Sequence, residues 1–417
     1  MNNWRETTLG KVANVFTGYP FKSELYSTGD QDVRLLRGDN ISQGAMDWSD
    51  ARKWPAEQLN DFEEYQLKED DIVLAMDRPW IGAGLKFSQI IKSDLPALLV
   101  QRTARLRGSN DLDIGYLKYV IGSPWFTSYI KRITTGSLVP HISLKQIRDF
   151  PVKLPPIEEQ KAAAAVLLAI DKKIELNNRI NAELEAMAKT LYDYWFVQFD
   201  FPDDSPQGQG KPYKTSGGKM VYNPTLKREI PEGWSDKTLS QIANITMGQS
   251  PEGSSYNDEG VGTIFYQGST DFGWLFPTTR QYTTAPSRMA KKGDILLSVR
   301  APVGDMNIAN TDCCIGRGLS ALNSKTASDG FLFYVMKYFK QIFDRRNSEG
   351  TTFGSITKND LHSLTLAYPT SDLLKKYDEI VTNYNKMIFE RSLENRELIA
   401  LRDWLLPMLM NGQVTVK

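Results

Sequence analysis

Apolar and polar positions along this 417-residue chain change their rhythm at fixed points. Up to about residue 155 the apolar runs are short. Ile72-Val73-Leu74-Ala75-Met76 and Ala97-Leu98-Leu99-Val100 are separated by Gly and Pro clusters such as RPWIGAG, the pattern of strands cut by turns. IGYLKYVIGSPWFTSYIKRI, from Ile114 to Ile133, predicts two short helices broken at Gly122 to Pro124, with the proline in the first turn of the second. Pro155-Pro156 is a hard stop, and Ile157-Glu158-Glu159-Gln160 opens a helix whose acidic first turn suits the macrodipole. No Gly or Pro follows until Pro202. Over that stretch Ile170, Ile174, Asn177, Asn181, Leu184, Ala188, Leu191 and Trp195 recur on a 4,3 spacing. So narrow a stripe is the seam of a coiled coil more than the broad face of a core helix.

The pattern then repeats. WRETTLGKVANVFTGYP, from Trp4 to Pro20, is echoed 230 positions later by Trp234 and LSQIANITMGQSP, which pairs Leu9 with Leu239, Asn14 with Asn244 and Gly18 with Gly248. Arg37-Gly38-Asp39 meets Gln267-Gly268-Ser269 at the same offset, and KEDDIVLAMDR (Lys68 to Arg78) answers KKGDILLSVR (Lys291 to Arg300). At an offset of 214 the tails agree: Ile142, Ile147, Pro155 and Ile174 fall on Ile356, Leu361, Pro369 and Ile388. A unit of roughly 200 residues is far beyond a solenoid period, so this is domain duplication. The second copy also ends in a helix, from about Ser371 to Met410. It carries Ile388, Asn395, Leu398, Leu405 and Leu409 at matching phases, with Arg391 and Arg402 as imperfect positions. Asn181 and Asn395 are equivalent, and a polar seam residue is a device for fixing register.

The expected organisation is therefore α+β: a mixed α/β domain over 1–155, a spacer helix over 156–200, a connector over 201–230, a second mixed domain over 231–369 and a second helix over 370–417. Helices of about 40 residues at 1.5 Å each make rods of roughly 60 Å. Packed as an antiparallel coiled coil, they would join two similar domains in a pseudo-twofold dumbbell. The alternative, each helix packing only on its own domain, stays open. The connector, rich in Gly, Ser, Pro and Lys, has too little apolar content for a core.

Composition narrows the class. A hydrophobic share of 41% and a charged share of 24% describe a globular chain, and no stretch approaches the roughly 18 apolar residues of a membrane span. MNNWRETTLGKV has no apolar core like that of a secretory signal, so a cytoplasmic location is expected. Cys313 and Cys314 are adjacent within an apolar run and read as core; with only His141 and His362 besides, no metal site is expected and a His-based catalytic triad is disfavoured. GxxxxGK[ST] is absent, since Gly210-Lys211 and Gly218-Lys219 lack the flanking residues. Tyr222-Asn223-Pro224-Thr225 lacks the second proline and the aromatic residue of an amino-methyltransferase signature, and no Glu-x-Lys follows Pro202-Asp203-Asp204 as a nuclease would require. No catalytic residue is assigned.

Fifty basic and fifty acidic residues cancel, but they are segregated. Asp30 to Asp77 holds 13 acidic and 5 basic residues, Arg78 to Arg148 holds 11 basic and 3 acidic, and Arg280 to Lys358 holds 12 basic and 6 acidic. Each copy thus keeps a basic C-terminal half, suited to phosphate and to guanine edges. Candidate DNA-binding residues in the first copy are Arg37, Arg78, Arg102, Arg105, Arg107, Lys131 and Arg132, with Thr135, Ser137 and His141 in the turn TTGSLVPHIS. The second copy offers Arg280, Arg300, Arg317, Lys325, Arg345, Arg346 and Lys358. Ordinary surface charge remains the alternative at any single position.

Several stretches carry a resemblance: LPPIEEQKAAAAVL (Leu154 to Leu167), LYDYWFVQFDFP (Leu191 to Pro202), YKTSGGKMVYNPTLKREIPEGW (Tyr213 to Trp234) and LRDWLLPMLMNGQV (Leu401 to Val414). With the duplication, they make the chain resemble the specificity subunit of type I restriction-modification enzymes. The resemblance implies two target recognition domains, each reading half of a split, asymmetric DNA site, and two helices that act as a ruler. It also implies a non-catalytic chain with no cofactor of its own, which works with two methyltransferase subunits that bind S-adenosylmethionine and with ATP- and Mg-dependent restriction/translocase subunits, in a bacterial or archaeal cytoplasm. Base-reading residues do not carry over from the family, so the candidates rest on charge and turn position. The competing reading is a coiled-coil scaffold for two partner proteins that does not read DNA.

Overall fold

Turn residues and short apolar runs divide the first copy into strands, and the second copy divides at the same places. The computed structural model describes residues 4–81, 84–134, 140–348 and 355–416, with the backbone alone for Ile81, Ile342 and Arg345 to Ser348. The chain forms two compact units, Met1–Glu175 with Arg396–Lys417, and Leu176–Asn395. Each unit therefore takes one duplicated domain and a portion of both long helices.

In the first unit a four-stranded antiparallel sheet runs in the order Asn14–Thr17, Thr103–Arg107, Ile72–Ala75, Phe87–Gln89. Val33–Leu36 lies parallel to Ala97–Leu99 in a second sheet, completed by Lys53–Trp54. Arg5–Thr8 pairs with Pro151–Leu154, closing the domain where the first long helix begins. Ile72–Ala75 is buried throughout, as a continuous apolar run bounded by polar turns predicts. Asp113 caps the helix Ile114–Gly122 by accepting from Tyr116 N–H, and Pro124 opens the next, Pro124–Thr134.

The second unit repeats this plan. Ala243–Met247, Leu319–Ser324, Ile295–Ser298 and Met306–Ile308 form the four-stranded sheet, and Thr263–Tyr266 lies parallel to Cys313–Ile315 in a five-stranded one. Ser235–Thr238 pairs with Thr365–Tyr368. Even the small capping boxes recur at the 214 offset: Ser143 with Gln146 opens Leu144–Arg148, and Thr357 with Asp360 opens Lys358–His362. Cys313 and Cys314 are fully buried in a core strand, and burial pushes the Cys313 thiol up to about 12.

The long helices are Ile157–Tyr192, continued by a π-turn over Asp193–Val197, and Ser371–Met410. Within the second unit they pack antiparallel. Asn177 Nδ2 donates to Asn395 Oδ1 at 2.9 Å and to Glu394 Oε2 at 2.8 Å, and Asn395 Nδ2 donates to Asn178 Oδ1 at 2.8 Å. Asn181 Nδ2 donates to Ser392 Oγ at 3.3 Å, and farther along Ala188, Tyr192 and Trp195 share a core with Tyr377 and Val381. Leu184 and Ile388 are buried and Leu191 half-buried, as seam positions should be. Within the first unit Arg402 Nη1 donates to Asp171 Oδ1 at 3.2 Å, while Leu167, Leu409 and Met410 enter the core of the first domain. Ile170 is buried there, and Ile174, Leu398 and Leu405 are half-buried. A fully buried leucine contributes roughly 1.5–3 kcal/mol, so Leu167 and Leu409 anchor their helix segments strongly.

The segment expected to be a connector with too little apolar content for a core forms two short hairpins. Pro202–Asp203 pairs with Lys211–Pro212 and Met220–Asn223 with Arg228–Pro231. Phe201 stacks between Tyr213 and Trp234, at ring-centroid distances of 4.7 and 5.4 Å, and Ile230 is buried in the second domain's core. Few apolar residues are present, but the rings of Phe201 and Tyr213 among them carry large apolar areas each.

Candidate nucleic-acid interface

Strand register decides which basic side chains share an end of a sheet. In the first domain Thr103 lies opposite Ala75 and Leu106 opposite Ile72. Arg102 therefore sits beside Met76-Asp77-Arg78, whereas Arg107 lies beside Asp71, about 17 Å away at 3.3 Å per residue. The first of these ends gathers charge. Met76 N–H donates to Arg102 O at 2.9 Å, Arg78 N–H to Pro140 O at 2.7 Å, and Ile142 N–H to Met76 O at 2.9 Å, so three loops are laced together. Arg78 and Arg102 both hold left-handed backbone, with φ of 45° and 64°. Such conformations cost of order 1–3 kcal/mol in non-glycine residues and persist only where surrounding bonds enforce them.

The Asp77 carboxylate organises this end. Arg102 Nη1 donates to Asp77 Oδ2 at 3.0 Å, and His141 Nδ1 is hydrogen-bonded to Asp77 Oδ1. Partial burial pushes the Asp77 carboxyl up, but the bonds from His141 and Arg102 outweigh it and hold the group below the usual carboxylate range. Lys131 lies over the Trp80 ring at 5.0 Å, and Arg132 follows on the same helix, 5.9 Å from the Tyr129 ring. Arg37 follows strand Val33–Leu36, whose last residue is paired with Leu99, so it faces the same end; its guanidinium is bonded to Asp39 at 2.8 Å.

Two candidates leave this set. Arg105 is only 4% exposed, donates to Glu64 O at 3.1 Å and Asn14 Oδ1 at 3.0 Å, and lies over the Phe16 ring. Arg107 forks onto the buried Asp71 carboxylate at the far end of the strand. Both are structural, because Arg105 is buried beneath the surface and Arg107 is committed to a buried carboxylate that would be left unpaired without it. Thr135 and Ser137 lie outside the described residues.

In the second domain Ser298 is opposite Leu319 and Ile295 opposite Leu322, which puts Arg300 and Arg317 at one end. Both are exposed. Arg300 forms a bridge with Ser355, and Ile356 N–H donates to Val299 O at 2.9 Å, bringing the exposed Lys358 to the same end. Gln267, at the position of Arg37, lines a polar cavity of about 510 Å³ with Arg280, which is held by Asp271. Lys325 is a correction: it follows strand Leu319–Ser324 at the opposite end of the sheet, and its Nζ donates to Ser240 O at 2.6 Å. The side chains of Arg345 and Arg346 lie outside the described residues.

What the sequence did not single out is the carboxylate at Asp77 and the ring of Trp80, which hold the cations in place. A hint was present in the order Met-Asp-Arg-Pro-Trp directly after a buried strand. Likewise Ser392, which contacts the first helix at Asn181, lies outside the expected seam spacing, whereas Tyr377, which donates to Ala188 O, continues that spacing beyond the residues singled out.

Comparison with known proteins converges on one family. The type I restriction modification DNA specificity domain matches residues 1–186 and 231–395. A Methanocaldococcus jannaschii protein named as the MjaX type I restriction enzyme specificity subunit is 32% identical over 70% of this chain, and the HindI specificity subunit of Haemophilus influenzae is 22% identical over 99% of this chain and all of its own length. The matches cover 65%, 31% and 44% of the MjaX, Escherichia coli EcoAI and M. jannaschii MjaVIII specificity subunits. The crystal structure of the S subunit of a type I restriction-modification system from M. genitalium has the same fold. It superposes with a TM-score of 0.62 at 16% identity, covering 98% of this chain and 96% of that one.

Proposed function

The chain belongs to the type I restriction modification DNA specificity family, and from that premise we propose that it is the DNA-specificity subunit of a type I restriction-modification complex, in which each domain reads one half of a split site. The observation that carries the reading is the repeated clustering of exposed basic side chains at one end of a four-stranded sheet: Arg78 and Arg102, with the imidazole of His141 beside them, in the first domain, and Arg300, Arg317 and Lys358 in the second. Loops laced at a rigid sheet end can present arginines to guanine edges and lysines to phosphates. Two different sets of side chains favour two different half-sequences, unlike the palindrome read by a homodimer.

The long helices set the spacing between the halves and dock two methyltransferase subunits. Large apolar side chains left exposed on them support docking, Leu176 and Met187 on the first helix and Leu401 and Trp404 on the second, the last 56% exposed. On this reading S-adenosylmethionine belongs to the methyltransferase subunits and ATP and Mg to restriction/translocase subunits, and the chain itself has no catalytic step. No helix of the described residues is long and apolar enough to cross a membrane. The complex works in the cytoplasm of a bacterial or archaeal cell.

Methylome sequencing of cells expressing the chain with its methyltransferase subunit tests this. Adenine methylation at one motif of two unequal halves around a fixed spacer is expected. Methylation at a single contiguous motif, or none that depends on this chain, overturns it.

A further inference from the structure

Each domain presents one more side chain at its cation-bearing end, from a position where the backbone is forced against its neighbour. A Cβ on Gly18 would stand 2.3 Å from Leu99 O and 2.4 Å from Val100 C; one on Gly248 would stand 2.1 Å from Gly316 O and 2.8 Å from Leu319 O. No side chain fits at either place, because those distances are far inside van der Waals contact and the neighbours are backbone. The chain therefore runs in contact with the adjoining turn, and the following residue is the first that can project. That residue is Tyr19 in one domain and Gln249 in the other.

Their backbones are matched. Tyr19 N–H donates to Leu99 O at 3.0 Å and Gln249 N–H donates to Ile315 O at 3.0 Å, where Ala97–Leu99 and Cys313–Ile315 are equivalent strands. Both residues adjoin the candidate arginines: Gln101 N–H donates to Tyr19 O at 2.9 Å next to Arg102, and Ser250 Oγ accepts from Arg317 N–H at 3.3 Å. Their side chains differ in every respect that matters to a base. Tyr19 is 38% exposed, and its ring is held edge-on by Phe21, Phe62 and Tyr65 at 5.0, 5.0 and 5.3 Å. An aromatic ring so fixed loses little entropy on contact. Gln249 is exposed, and among the described residues its carboxamide makes no hydrogen bond, which leaves both its donor and its acceptor for a ligand.

We propose that Tyr19 and Gln249 are the matched specificity residues of the two domains, and that the difference between them helps make the two half-sites unequal. Gln249 takes adenine through its N6 and N7 groups, and Tyr19 packs its ring on the 5-methyl group of thymine. This assignment rests on the specificity-subunit reading above.

The test selects binding sites from a random duplex library with the full chain in complex with its methyltransferase subunits. The parent, Gln249→Glu, Tyr19→Leu and Tyr19→Gln are compared. Gln249→Glu should lower the preference for adenine about tenfold or more at one position of one half-site and raise that for cytosine, whose N4 group donates to a carboxylate. The other half should be unchanged. Tyr19→Leu should relax one thymine position in the opposite half, and Tyr19→Gln should create an adenine preference there. Because the Gln249 side chain makes no internal hydrogen bond among the described residues, its variant keeps the test intact if the Tyr19 variants fold poorly. A split motif identical in parent and Gln249→Glu would overturn the assignment while leaving the specificity-subunit reading standing. A parent that selects no split motif would bring down that reading and this assignment together.

Discussion

Asn177 donates to Asn395 across the helix pair at 2.9 Å, and both side chains are buried. Asn395 is satisfied on both sides, since its own amide donates to Asn178. Replacing it by leucine strands Asn177 Nδ2 with one partner fewer and removes a contact that only one register makes. Asn395→Leu should lower unfolding stability by about 1–3 kcal/mol, read from denaturant midpoints.

Asn181 behaves oppositely. Among the described residues its buried Oδ1 has no hydrogen-bond partner, and Ser392, which accepts from its Nδ2, already donates to Ile388 O at 2.7 Å. Asn181→Leu should leave stability unchanged or raise it by up to about 1 kcal/mol, because an orphaned acceptor is removed and Ser392 keeps a partner. A clear loss in thermal midpoint would show that the 3.3 Å contact matters more than the orphan.

Two arginines at opposite ends of one strand should fail in different ways. Arg107→Ala uncovers the carboxylate of Asp71, which is 2% exposed, and should cost roughly 3 kcal/mol or more in stability. Arg102→Ala, at an exposed ion pair, should change stability by less than about 1 kcal/mol. It should instead weaken DNA binding and make its dependence on log salt shallower by about one unit. Unchanged affinity and slope for Arg102→Ala would favour the scaffold reading.

That contrast also shows where the sequence is legible. The duplication fixes the strand plan because buried positions repeat: Ile142 and Ile356, Ile147 and Leu361 are all core, and the glycines at 18 and 248 meet the same steric demand. Linear charge is a poorer guide. Arg102, Arg105 and Arg107 lie within six residues, yet register sends one to the loop end, one into the interior and one to the far edge. A count of cations along the chain holds no information about which end of a strand they occupy. The connector's structure is hidden for a related reason, since Phe201, Tyr213 and Trp234 are scattered among Gly and Ser and become a stack only once the hairpins form.

Acid should act through Asp77. Its folded-state carboxyl lies below the usual range, so its contribution to stability is fully present above the unfolded value of about 3.9 and is lost as pH falls through the depressed folded value. Asp77→Asn should therefore be less stable than the parent at pH 7, with the gap closing below about pH 4. A gap that stays constant into acid would mean that the His141 and Arg102 bonds do not depend on the carboxylate charge.

The central claim is that two domains read two DNA segments at a spacing set by the helix pair, and matched insertions test it most directly. Seven residues added after Asn181, with seven more at the facing turn near Ser392, keep the seam phase and add about 10 Å. Site selection with the methyltransferase complex should then return the same two half-sequences with a spacer longer by about three base pairs, at 3.4 Å each. Unchanged spacer length with binding retained would contradict the account.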